Sequence, residues 1–246
     1  MPATSRSAVR TSVVWDALEP LLAGGDLDVL DIGGGTGGFA TRVAGLGHRV
    51  AVVDPSPDAL AALDRRARED DVADRVTGQQ GDLSSLLDVV AEASADVVLC
   101  HGVLEVVDDP GAALAVLARV LRPGGTLSLL VAQRHAAVVA RAVAGHFQAA
   151  RELLDDPAGG GPAAGGPGRR GPQHRYTRDE VVALLAAAGL DVRAVHGVRV
   201  FADLVPGSLL DLEPGAAAAL VELERAVSER AEYLPLATQL HLLARR

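Results

Sequence analysis

Three acids and a cluster of glycines carry the spacing that chemistry could use. Residues 29–37 read VLDIGGGTG, and Asp54 closes the next apolar run about twenty residues later. Gly33, Gly35 and Gly37 alternate directly after an apolar run, which makes a turn whose backbone can press against a ligand where any Cβ would collide. Asp54 falls where an acid meets the diol of a ribose in a βαβ unit. Asp31, two residues ahead of the first glycine, puts a carboxylate at the strand tip, where a cationic ligand gains and a pyrophosphate is repelled. Gly81 and Asp82 follow the third apolar run, and a carboxylate there can accept a hydrogen bond from an adenine amino group. Together these residues describe a nucleoside-binding α/β protein.

Positioning such a turn takes parallel strands, and the apolar runs do alternate with helix-period segments, the pattern of a parallel sheet covered on both faces. Strands are expected near residues 27–32, 49–53, 74–78, 95–100, 126–132, 190–199 and 237–244. Helices are expected near 36–46, 57–69, 110–121, 135–154, 177–188 and 216–230. Ahead of them Val9, Val13, Ala17 and Leu21 recur at helical spacing, so residues 1–25 are read as a helical lid. With 246 residues and 49% apolar content the chain can bury one sizeable core, and a single domain over 1–246 is expected.

One stretch breaks the regularity. Residues 157–172 read PAGGGPAAGGPGRRGP, a composition that forms neither helix nor strand, and 157–176 is expected to be a flexible loop. No apolar stretch reaches the length of a membrane span and no signal-like apolar core follows the start, so a soluble, cytoplasmic protein is expected. Cys100 is the only cysteine, which excludes an internal disulfide and a thiolate metal cluster; no metal is expected. A net charge of −9 argues against general affinity for polyanions. Every Lys or Arg in the chain is Arg, and between Pro157 and Arg178 stand four of them, Arg169, Arg170, Arg175 and Arg178, with no acid.

After the fourth expected strand comes ADVVLCHGVLEVVDDP (95–110), then a helix ending at LRPGG (121–125) that feeds the fifth strand. With the glycine turn, Asp54 and Gly81-Asp82, this order resembles the class I S-adenosylmethionine-dependent methyltransferase family. Gly33, Gly35 and Gly38 also satisfy the GxGxxG of a nicotinamide dinucleotide site, but four motifs in order are more specific than one loop. The resemblance implies a doubly wound, Rossmann-like α/β fold: a seven-stranded, mostly parallel sheet whose last strand, in LHLLARR (240–246), runs antiparallel beside the fifth. It implies S-adenosyl-L-methionine as cofactor. Gly33, Gly34 and Gly35 would meet its methionine and ribose portions, Asp54 the ribose hydroxyls, Asp82 the adenine edge, and His101 would border the sulfonium. Arg10, in VRTSVVW, aligns with a lid arginine that reaches the cofactor carboxylate.

Within that family HGVLEVVDDP (101–110), LRPGGTLSLL (121–130), AVAGHF (142–147), GVRVFADL (197–204) and ALVELE (219–224) are similar to bacterial enzymes that methylate the carboxylate of a 5-carboxymethoxyuridine at the tRNA wobble position. The chain departs from them in having Ala132 and Gln133 in place of an aromatic and Asn, and a Gly/Pro/Arg loop in place of a lysine cluster. A carboxylate acceptor is already ionised near neutral pH and needs no base, only positioning. Arg199 is the first candidate for that catalytic task, with Gln133 and His135 behind it. Contact with tRNA would run through Arg169, Arg170, Arg175 and Arg178, and Tyr176, Phe201 and Tyr233 are the candidates for base stacking. The alternatives are a small-molecule O-methyltransferase of secondary metabolism, with His101, His135 or His196 as base, and a cofactor-binding protein without turnover.

Overall fold

The computed structural model describes residues 6–155, 174–212 and 214–246. In chain order the elements are α1 (Arg6–Leu22), β1 (Asp28–Ile32), α2 (Gly38–Gly45), β2 (Arg49–Asp54), α3 (Pro57–Glu69), β3 (Val76–Gln80), α4 (Leu86–Val89), β4 (Ala95–His101), α5 (Pro110–Val120), β5 (Leu121–Ala132), α6 (Arg134–Val143), α7 (Phe147–Asp155), α8 (Arg178–Ala187), β6 (Asp191–Val198), α9 (Gly207–Leu212), α10 (Ala216–Val227) and β7 (Gln239–Arg245). The strands form one sheet in the order β3-β2-β1-β4-β5-β7-β6. β1 pairs in parallel with β2 and β4, β2 with β3, and β4 with β5. β7 runs the other way: Gly124, near the start of β5, donates to the Arg246 carbonyl beyond the end of β7, and Gln133, past the end of β5, donates to the Thr238 carbonyl before β7 begins. The expected sheet, antiparallel last strand included, is the one the chain forms.

Packing divides the chain into two compact units, Glu19–Leu130 with Val182–Ala194 and Leu242–Arg246, and Met1–Leu18 with Val131–Val181 and Val195–His241. In the first, Val29, Leu30 and Ile32 of β1, Val50, Val52 and Val53 of β2, and Val97, Val98 and Leu99 of β4 are all buried. A parallel sheet covered on both faces needs such unbroken apolar runs. Arg122 bridges Asp28 at 2.7 Å and Asp96 at 2.5 Å at the starts of these strands, and Arg49 also bonds Asp28 at 2.7 Å. Hydrogen bonds from Arg49 and then Arg122 hold the Asp28 carboxyl below its ordinary range. The chain order reverses around β1, so the C-terminal ends of β1 and β4 open the crevice in which sheets of this kind take ligands.

In the second unit Arg225 of α10 takes Asp16 of α1 at 2.6 and 3.2 Å. Along α1 the fully or nearly buried positions are Val14, Leu18 and Leu22 with Val13 and Trp15, one position on from the stripe the spacing suggested. Trp15 is buried, as an anchor would be. The single helix expected over 135–154 is two. Gly145 takes φ +78°, where a side chain is strained, and the Gly145 and His146 amides turn back onto Ala142 and Arg141 to end α6 before the His146 carbonyl opens α7. Residues 157–172 lie outside the described residues.

Candidate functional site

The loops after β1, β2 and β3 meet at one residue. Asp54, the last of β2, accepts from the Gly35 amide at 3.0 Å through one carboxylate oxygen and from the Ser56 amide at 2.8 Å through the other. Its main-chain carbonyl takes the Gly81 amide at 3.2 Å. The glycine turn, the start of α3 and the loop carrying Asp82 are thereby fixed to a single acid. Gly35 has φ +56°, a conformation open to glycine at no cost.

Under this turn lies Asp31. A Cβ on Gly34 would stand 2.4 Å from its Oδ2, so Gly34 is required by the close approach of backbone and carboxylate. Asp31 is 4% exposed, and no described residue donates to its carboxylate. Burial, with the Asp54 charge adding to it, pushes the Asp31 carboxyl up to about 7. A buried acid without a donor among the described residues, beside a second acid, is a site poised for a cation. A cradle that a Cβ would fill, an acid at its base and a second acid at its lip fit a nucleoside linked to a cationic amino acid.

Asp82 is exposed, and its Oδ1 accepts from the Ser84 amide (2.9 Å) and hydroxyl (2.6 Å) and from the Ser85 amide and hydroxyl (both 3.2 Å). Those bonds, the Ser84 hydroxyl's first, hold its carboxyl below the ordinary range. All four run to one oxygen, so the second oxygen is the one placed to accept from a ligand. His101 ends β4 with Nε2 2.9 Å from the Ser128 hydroxyl and its ring edge-on to Phe39 at 5.1 Å. Enclosure pushes its imidazole down to about 4, so it is neutral at physiological pH. Cys100 is fully buried, and burial raises its thiol. Glu105, buried in the 104–106 turn after β4, went unnoticed in the sequence; an acid inside the apolar string VLEVV was the signal available.

The acceptor-side candidates belong to the other unit. Arg199 sits just past β6 with φ +60°, a strained conformation for a long side chain. Its guanidinium pairs with Asp203 and reaches Gln239 Oε1 at 3.4 Å, while its Nε is buried without a hydrogen-bond partner. Immediately after it the amides of Val200, Phe201 and Ala202 all donate to Glu224, at 2.9, 2.8 and 2.7 Å. Glu224 is fully buried, and this nest is what joins ALVELE to GVRVFADL.

Gln133 has a different task from the one expected. Its Oε1 caps α6 by accepting the Ala136 amide at 3.2 Å, and its amide nitrogen donates to the Leu234 carbonyl. Both ends of the carboxamide are engaged at 2% exposure, which makes it a tie rather than a donor to an acceptor molecule. His135 is exposed on the first turn of α6. His196 is buried and stacked on His241, ring centroids 5.3 Å apart; burial lowers its imidazole against the pull of Glu229. Arg10 lies in α1, its side chain outside the described residues. Arg169 and Arg170 are also outside them, Arg178 pairs with its neighbour Asp179 at 3.3 Å, and the Arg175 carbonyl accepts from Arg134 at 3.1 Å. Tyr176 is buried, and Phe201 packs edge-on to Tyr233, ring centroids 6.0 Å apart, in a core with Val200 and Val227. The three stacking candidates are thus packing residues.

The sequence profile of the methyltransferase-domain family matches residues 30–129. The chain is 32% identical over 251 residues to the tRNA 5-carboxymethoxyuridine methyltransferase of Escherichia coli K12, an alignment covering 99% of this chain and 90% of that one. The chain belongs to the S-adenosylmethionine-dependent methyltransferases. It is also 35% identical over 156 residues to the ubiquinone biosynthesis O-methyltransferase of Xanthomonas axonopodis, covering 62% of this chain and 61% of that one. Among solved structures, an S-adenosylmethionine-dependent methyltransferase from Mesorhizobium loti superposes with a TM-score of 0.62 at 20% identity, covering 98% of this chain and all of the other, which supports the fold. S-adenosylmethionine is the methyltransferase's cofactor, and the crevice built on Asp31, Gly34 and Asp54 fits it. No described helix is long and apolar enough to cross a membrane, and no group of three or more potential ligands among the described residues could hold a metal.

Proposed function

We propose that this methyltransferase esterifies the carboxylate of a 5-carboxymethoxyuridine in tRNA, as a single functional domain in the cytoplasm. The observation that carries the reading is the span of the similarity to the Escherichia coli enzyme, which runs through the acceptor-side segments as well as the cofactor loops. The cofactor supplies an electrophilic methyl group on a sulfonium. A carboxylate oxygen displaces the sulfur in line: one carbon–sulfur bond breaks, one carbon–oxygen bond forms, and the two opposite charges cancel with no proton moved. This agrees with a His101 that stays neutral.

On the cofactor side, Asp31 would take the cationic end, Asp54 the ribose diol, Asp82 the adenine amino group, and Gly33, Gly34, Gly35 and Gly81 would give the backbone clearance. Arg10 would bind the cofactor carboxylate and His101 would line the sulfonium. On the acceptor side, Arg199 would offer its unsatisfied Nε–H to the substrate carboxylate, with Asp203 fixing the guanidinium. His135 is the second contact to test, and Arg169, Arg170, Arg175 and Arg178 would meet phosphates.

A small-molecule O-methyltransferase is the second reading, favoured by the similarity to the ubiquinone enzyme. Nucleoside mass spectrometry of tRNA from a deletion strain separates the two. Loss of the wobble methyl ester, restored by the wild-type gene and not by Arg199→Ala, supports the first; unchanged wobble uridines end it.

A further inference from the structure

The chain has six aromatic residues of the Phe, Tyr and Trp type, and all six are described. Trp15 and Tyr176 are buried, and Phe39, Phe201 and Tyr233 are half-buried. Phe147 alone is turned outward, at 72% exposure. It begins α7, and Arg151 and Leu154 follow at the spacing that places all three on one face of a helix. Leu154 is 64% exposed, whereas Ala150 and Leu153 are buried. α6, packed against α7, adds Val143 at 78% exposure and Val139 one turn before it. A monomer gains nothing from an outward stripe of this kind, so it marks a contact surface.

Charge decides the partner. From Gln133 to Arg151 the chain holds three arginines, two histidines and no acid, in a protein of net charge −9. Arg134 is spent on Glu180 at 2.9 Å, but among the described residues Arg141 holds only the Ala137 carbonyl, at 3.2 Å, and His146 is exposed at the bend between the helices. Acids resume at Glu152. An exposed ring flanked by guanidinium groups is the arrangement that stacks an unpaired base and neutralises the phosphates on either side of it. We infer that the α6–α7 hairpin is the docking surface for single-stranded RNA, with Phe147 as the stacking platform and Arg141 on a flanking phosphate. This rests on tRNA being the acceptor, and it assigns the contact to residues outside the arginine-rich loop.

The test is the affinity of the full-length protein for unfractionated tRNA across a salt series, with S-adenosylhomocysteine affinity as the control for folding. Phe147→Ala should weaken tRNA binding at least about fivefold, the low end for loss of one stacked base, and Phe147→Trp should restore it where Phe147→Leu does not. Replacing Arg141 by Ala should lower the salt slope by roughly 0.7, the share of one contact on a single strand. Equal tRNA affinity and equal methylation in wild type and Phe147→Ala would overturn the docking surface and leave the tRNA reading standing. A wild-type protein that neither binds nor methylates tRNA ends both. Self-association or binding to phosphatidylglycerol vesicles that Phe147→Ala abolishes, with tRNA affinity untouched, would give the hairpin another partner and also overturn the proposal.

Discussion

Replacing Asp31 by Asn tests the physics of the cofactor crevice without touching its shape. Buried against Asp54 with no described donor, Asp31 keeps its proton to about pH 7, whereas in an unfolded chain it ionises near its ordinary value of 3.8. Between those values the folded protein binds the proton and the unfolded chain does not, so apo stability falls as pH rises through the window. At about 1.4 kcal/mol per pH unit of separation the whole penalty is about 4 kcal/mol, most of which develops between pH 5 and pH 8. Asn carries no such term. Urea unfolding of the apo protein at pH 5 and pH 8 should show wild type losing roughly 3 kcal/mol more than Asp31→Asn, every other titrating group cancelling in the difference.

S-adenosylhomocysteine adds the second half of the experiment. Its ammonium favours ionised Asp31, so wild-type affinity should climb by about tenfold per pH unit below pH 7 and level off above it. Asp31→Asn should bind more weakly at pH 8 and show no such climb. Parallel stability curves for the two proteins, or an affinity climb that survives in the Asn variant, would refute the assignment of the buried charge.

Two further substitutions probe the frame. Gly34→Ala puts a methyl group 2.4 Å from the Asp31 carboxylate, so calorimetry should show cofactor affinity down at least about tenfold and thermal unfolding a loss of about 1–3 kcal/mol; unaltered binding would mean that the turn shifts freely. Glu224→Gln places an NH2 where the nest of three amides needs an acceptor, which should cost about 3 kcal/mol and lower Tm by roughly 5–12 °C while S-adenosylhomocysteine still binds the folded fraction.

β1, β2 and β4 were legible because they declare themselves locally, reading as unbroken apolar runs buried on both faces, while the seven-stranded arrangement with its antiparallel last strand came from the family resemblance. Asp31, Gly34 and Asp54 were legible for the same reason, since a βα turn is built from neighbours in sequence. What failed to show lies in contacts between distant residues. Gln133 reads as a polar rim residue until Leu234, about a hundred positions on, claims its amide. Glu224 is one acid among several in an amphipathic helix until the 200–202 turn folds onto it. The break at Gly145 was visible as a glycine, but a lone glycine is tolerated inside helices, and only its φ of +78° decides the matter. Phe147 was passed over as a base-stacking candidate because exposure, unlike composition, is not written in a single residue type.

On the proposed assignment, the two acids at the crevice would also decide which adenine cofactor this Rossmann-like sheet accepts. A glycine turn ahead of a helix N-terminus attracts phosphate in dinucleotide proteins, and the backbone geometry here would allow it. A pyrophosphate brought against Asp31 and Asp54 would add negative charge to a site that already drives a proton onto one of them. Affinity would then have to be gained against a protonation that completes only below about pH 7. A sulfonium amino acid meets the opposite situation, because each positive charge it brings replaces the bound proton and releases the penalty that Asp31 imposes on the apo fold. On the proposed assignment the penalty on ionised Asp31 would be returned as affinity for cations, so the selectivity would reside in the carboxylate beneath the turn, and the glycines alone would not supply it.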